Sequence, residues 1–106
     1  MSVIDLEKLV GKELLPGFKA KFVHSDNVTI AFWEVEAGSM LPKHAHIHEQ
    51  IAQVTEGEFE LTIEANTFLL KAGKVAIIPS NAEHSGRAVS DCKIVDTFYP
   101  VREDFF

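Results

Sequence analysis

His44, His46 and His48 stand two residues apart in this chain and are followed at once by Glu49 and Gln50. In an extended strand, residues i and i+2 point to the same side, so His44 and His46 can aim into one interior and share a cation through their ring nitrogens. His48 shares that direction if the strand runs straight. If the chain bends after Ile47, Gln50 presents its amide oxygen instead. A fourth ligand must come from elsewhere, and His84, just past a turn that carries Pro79, is the natural candidate. An imidazole-rich set with one oxygen donor suits a single divalent transition ion: Ni, Zn, Mn, Fe or Co. The competing reading is a polar rim or an exposed edge strand. His24 has no such company and reads as a solvated surface residue.

Those side chains need strands to carry them, and from residue 18 onward the chain supplies them. Runs rich in β-branched and aromatic residues recur between turn signals. They are Phe18 to His24, Val28 to Glu36, an interrupted pair from Lys43 to Val54, Glu58 to Ile63, Thr67 to Leu70, Val75 to Ile78, and Lys93 to Tyr99. In Phe59-Glu60-Leu61-Thr62-Ile63 apolar and polar residues alternate, so one face is wet. Pro79 to Ala82 reads as a loop. Ahead of these strands, Ser2 and Asp5 sit at capping-box spacing, and Met1 to Lys12 reads as a short arm or helical turn before the Leu15-Pro16-Gly17 turn. At 106 residues the chain fits one domain over residues 1–106. Short strands and almost no helical period indicate an all-β barrel or sandwich.

Ten basic against sixteen acidic residues leave a net charge of −6, with no run of Lys or Arg. That excludes a nucleic-acid footprint and a polybasic membrane anchor. No apolar run approaches the ~18 residues of a membrane span, and the N-terminus lacks a signal pattern. A single Cys92 excludes an intrachain disulfide and fits a reducing compartment, so the expectation is a soluble, cytoplasmic protein. Cys92 has no His or CxxC partner, Ser85 no nucleophile elbow, and Gly-rich phosphate loops are absent. Glu56, Glu58, Glu60 and Glu64 read as a solvated face.

The histidine spacing also resembles a family. Gly38, His44, His46, Gln50 and Gly57 fall at the intervals of the first cupin motif, G-x5-H-x-H-x3,4-E-x6-G. Fifteen residues later Gly73, Pro79, Asn81, His84 and Ala88 follow the second, G-x5-P-x-G-x2-H-x3-N. The resemblance covers residues 38–57 and 73–88 and implies a single-domain cupin, a double-stranded β-helix or jelly roll with a short N-terminal arm. Three positions depart: Gln50 replaces the acid, Asn81 the second-motif Gly, and Ala88 the Asn. Asn81 is mild, because Asn tolerates the left-handed backbone of a turn Gly. Gln50 leaves the charge of a divalent ion uncompensated, which favours Lewis-acid chemistry on anionic oxygen ligands over oxygen activation.

More narrowly, His44 to Gln50 together with the terminal run Asp96 to Phe106 is similar to the small pectin-degradation cupins of the KdgF type. Those proteins open the rings of 4,5-unsaturated uronates released by pectin or alginate lyases, giving linear 5-keto-4-deoxyuronates. The resemblance implies that His44, His46, Gln50 and His84 ligate one divalent metal ion per chain. It also implies that Asp96, Phe98 and Arg102 line a pocket for an anionic sugar. Asp96 is a carboxylate within an apolar strand, where desolvation raises its pKa and suits it to acid-base work. Arg102 offers a planar fork matched to a carboxylate. Phe98 shares a strand face with Asp96 and can stack on the sugar. The bland alternatives are a structural Asp, a core Phe, and a surface ion pair of Arg102 with Glu103 or Asp104 worth ~0–1 kcal/mol. Ala52, the next inward position after Gln50, adds no polar group. Three functions stay open: an isomerase-like enzyme acting on unsaturated uronates, a metal cupin oxygenase, or a non-catalytic module binding an anionic sugar. Small cupins commonly pair, so a homodimer is expected, with an edge strand to close.

Overall fold

A strand that alternates apolar with polar residues can bury only one face, and two such faces closed on each other make a sandwich. In the computed structural model, which describes all of residues 1–106, the chain solves the problem this way. Ten strands form: β1 (Lys12–Leu15), β2 (Phe18–His24), β3 (Thr29–Val35), β4 (Met40–His44), β5 (Glu49–Glu56), β6 (Phe59–Ile63), β7 (Asn66–Leu70), β8 (Val75–Ile78), β9 (His84–Ala88) and β10 (Cys92–Tyr99). They assemble into a six-stranded sheet in the order β1-β2-β3-β10-β5-β8 and a four-stranded sheet in the order β4-β9-β6-β7, with every pairing antiparallel. The fold is the all-β jelly roll that the motifs imply.

The inward residues of both sheets meet in one core that includes Phe18, Val35, Val54, Phe59, Leu61 and Ile78. Strand β10 lies between β3 and β5, and its even positions, Cys92, Ile94, Asp96 and Phe98, are all buried. Asp96 therefore sits in the middle of the large sheet and faces the interior. Gly57 ends β5 with φ 78, and a side chain there would collide with the Asp91 carbonyl oxygen, so the first motif closes on a residue that only glycine fits. Asn81 occupies the equivalent left-handed position in the second motif, at φ 65.

Two strands go beyond the sequence reading. β1 forms where an arm is expected, and β9 forms over His84–Ala88, where no strand is read. The arm itself carries one 3₁₀ turn, Leu6–Lys8. Asp5, not Ser2, caps it by accepting the Glu7 N–H at 3.0 Å. No helix is long and apolar enough to cross a membrane.

Candidate metal centre and pocket

The interruption between β4 and β5 is the structural reason for the histidine spacing. His44 ends β4 and pairs directly with His84 at the start of β9, so both imidazoles stand on the small sheet with ring centroids 4.1 Å apart. The chain then crosses to the large sheet over residues 45–48, and Gln50 enters β5 pointing inward and buried. His46 lies on the crossing, its ring 5.0 Å from that of His84. The second-motif loop clamps this bend: the Asn81 N–H donates to the His46 carbonyl at 2.8 Å, and the Ser80 hydroxyl donates to that of Ile47. One ligand atom from each of His44, His46 and His84 lies within 4.8 Å of the others.

Backbone carbonyls fix which nitrogen faces the centre. Nδ1 of His44 bonds the Pro42 carbonyl at 2.9 Å, Nδ1 of His46 that of His48 at 2.9 Å, and Nδ1 of His84 that of Ala82 at 3.0 Å. A carbonyl only accepts, so each Nδ1 carries the proton and each Nε2 keeps a lone pair. Nε2 of His84 is buried with no partner. Nε2 of His46 lies 3.2 Å from Oε1 of Gln50, one acceptor facing another. Lone pairs turned on one another can share a cation, and this donor set fits one. Burial holds His46 down to about 4, with the Arg102 charge adding to it, and burial also lowers His84. Both are therefore neutral imidazoles at neutral pH, the form that ligates. His48 stands beside His46, its ring 5.5 Å away, but does not border the cavity that His44, His46 and His84 share.

Asp96 borders the same cavity, a space of about 360 Å³ that also takes in His44, His46, Gln50, His84 and Arg102. Its direct neighbours across the sheet are Ala31 and Ala52, both small, which leaves room around the carboxyl. Burial pushes Asp96 up to about 7. The Gln50 amide, the Trp33 indole and the Arg102 charge lie near and pull the other way. Oδ1 of Asp96 and Nε1 of Trp33 nevertheless lack a hydrogen bond of good geometry. The Phe98 ring meets His46 edge-on at 5.7 Å. Arg102 is buried against Phe98, its guanidinium 4.7 Å from the centre of that ring and 4.1 Å from that of Phe105. Of the two acids offered as the alternative ion-pair partner, Asp104 takes it, with Nε at 3.0 Å and Nη2 at 2.7 Å, and the Arg102 end of the pair is buried.

Residues 31–98 match the Cupin domain family. The chain is a cupin. It is 34% identical to the pectin degradation protein KdgF of Dickeya dadantii over 97 residues, 89% of this chain and 88% of that one. The structure of KdgF from a Halomonas species superposes with a TM-score of 0.94 at 25% identity, covering 100% of this chain and 99% of that one. An RmlC-like cupin from Shewanella frigidimarina superposes with a TM-score of 0.89 at 27% identity, covering 94% and 91%.

In this cupin the four residues read as ligands and the three read as pocket residues border one cavity. Sequence reasoning missed Trp33 and Phe105, which border it too. Trp33 was in principle legible, since it shares the inward parity of Ala31 and Val35 on β3. His24 is not a free surface residue. Its Nδ1 lies 2.8 Å from the Thr29 hydroxyl, and its ring meets that of Phe106 at 4.7 Å, because the C-terminal segment folds back over β2. Burial raises the Cys92 thiol to about 11, which leaves it a packed apolar group.

Proposed function

We propose that this cupin converts 4,5-unsaturated uronate monosaccharides into linear 5-keto-4-deoxyuronates in a metal-dependent reaction. The observation that carries the reading is Asp96, a buried carboxylate pushed towards neutral pKa and facing the same cavity as three converging imidazoles and an arginine. The similarity to a pectin degradation protein supports the substrate class.

A divalent ion held by His44, His46, His84 and Gln50 supplies a Lewis acid for a substrate oxygen. Ionised Asp96 takes the proton of the anomeric hydroxyl. The freed electron pair makes the carbonyl at the anomeric carbon, the bond from that carbon to the ring oxygen breaks, and the ring oxygen leaves as the enolate oxygen on carbon 5. Asp96 then returns its proton to carbon 4, and carbon 5 becomes the ketone. Nothing is gained or lost, so the reaction is an isomerisation. A carboxyl near pKa 7 is matched to both halves of this exchange, because it gives and takes a proton with little penalty at working pH. Phe98 covers an apolar face of the sugar, and Arg102 receives its carboxylate.

The test mixes metal-loaded protein with lyase-generated unsaturated galacturonate and follows loss of the conjugated acid's ultraviolet absorbance. Asp96→Asn is expected to keep its metal and lose about 10²-fold or more of the rate. His46→Ala is expected to lose both metal and activity. Wild-type rates no faster than the buffer would sink the proposal, and full turnover by Asp96→Asn would remove Asp96 from the chemistry.

A further inference from the structure

We infer that Asp104 is a positioning residue that aims Arg102 at the substrate carboxylate, an inference that rests on the role proposed for Arg102 above. The guanidinium is held on three sides. The Phe98 and Phe105 rings flank it at 4.7 and 4.1 Å, standing 5.9 Å apart and at 74° to each other, and Asp104 takes one edge through Nε and Nη2 at 3.0 and 2.7 Å. Of the five N–H groups of an arginine, the edge formed by Nη1 and the second proton of Nη2 makes no bond within the protein. Two rings at a steep angle to each other confine the group without fixing its rotation, and the two bonds to the carboxylate fix it. The side chain of Arg102 is only 10% exposed and borders the cavity, whereas that of Asp104 is 56% exposed, so the pair is anchored from the solvent side.

The segment that carries Asp104 does not depend on it. The Arg102 N–H donates to the buried Thr29 hydroxyl at 2.8 Å, and the Phe105 ring packs on Phe22 at 4.6 Å. Asp104→Asn therefore leaves the fold in place and removes the charge and half of the fork. Two effects then oppose each other. Loss of a neighbouring negative charge favours an incoming anion, and loss of orientation disfavours it. Asp104 is half in water, where its field is screened, so orientation wins.

The experiment has two readouts on the metal-loaded protein. The first is the side-chain nitrogen NMR signal of Arg102. It is expected to show restricted guanidinium rotation in the wild type and fast averaging in Asp104→Asn, with an unchanged melting temperature. The second is kinetic: KM for unsaturated galacturonate is expected to rise about fivefold to tenfold, with kcat reduced much less. The Kd of saturated galacturonate, which binds without reacting, is expected to rise in parallel. An Arg102 equally restrained in the variant, or a KM or Kd that stays level or falls, overturns the inference. Wild-type protein that neither binds nor converts either sugar, alongside an Arg102 signal freed by the variant, overturns the proposed function while Asp104 keeps its positioning role.

Discussion

Gln50 stands between two groups of opposite demand. Its amide oxygen faces Nε2 of His46 at 3.2 Å, while its NH₂ end lies on the side of Asp96. A glutamate there would set a second carboxylate against a buried one, and two such charges cannot both ionise cheaply. Gln50→Glu is expected to bind its ion at least as tightly and to turn over about tenfold or more slowly, because Asp96 would hold its proton. Metal titration and steady-state rates check both halves, and an unimpaired rate would contradict the account. Asp96 also leaves a mark on stability. Its folded pKa of about 7 lies above the ordinary 3.8, so its contribution is full below the unfolded value and is lost as pH rises through the folded one. In metal-free protein Asp96→Asn should therefore gain on the wild type between pH ~5 and ~7, by about 2–3 kcal/mol, and hold level above that. Urea titrations at several pH values read this directly, and a pH-independent difference would mean that Asp96 titrates like an exposed acid.

At the scale of elements, the ends of the two motifs carry the site. Gly57 lets β5 turn into β6 against the Asp91 carbonyl, and Gly57→Ala adds both a strained backbone and a collision with main chain that cannot move aside. A loss of about 2–4 kcal/mol is expected, read as a lower melting temperature with unchanged metal affinity in the protein that remains folded. Strands with a strict alternation, such as β6, were legible from sequence because each residue shows which face it belongs to. β9 was not, because His84, Ser85, Gly86 and Arg87 contribute no apolar side chain. It becomes a strand by lying between β4 and β6 and bonding to both. At Gly86 a side chain would strike the Phe59 ring, so the residue that weakens the local signal is the one the packing requires. The convergence of His44, His46, Gln50 and His84 was legible for the opposite reason: parity and two motif intervals bring the four residues to one cavity. Arg102 shows where this stops. Sequence offers an arginine two residues before an aspartate, but which edge of the guanidinium is taken depends on a segment folded back over β2 and β3.

For the whole molecule the remaining question is what covers the outer face of the large sheet. Ile51 of β5 pairs with Ile77 of β8, and Val75 and Ile77 are 59% and 64% exposed. Tyr99 lies exposed on β10, next to β5. β8 is also the edge of that sheet, with one side of its backbone unpaired. Contiguous apolar surface beside an open edge is uncommon on a monomer and risks non-specific strand pairing. A second copy laid on the same face satisfies both features through a two-fold contact. Two copies at −6 each carry −12, so their repulsion opposes association and is weakened by salt. Sedimentation equilibrium is expected to show a dimer that tightens as salt rises. Ile77→Lys is expected to give a monomer with an unchanged metal content, because its side chain points away from the cavity on the opposite face of the sheet. A wild-type protein that sediments as a monomer at high salt would assign that apolar face to a different partner.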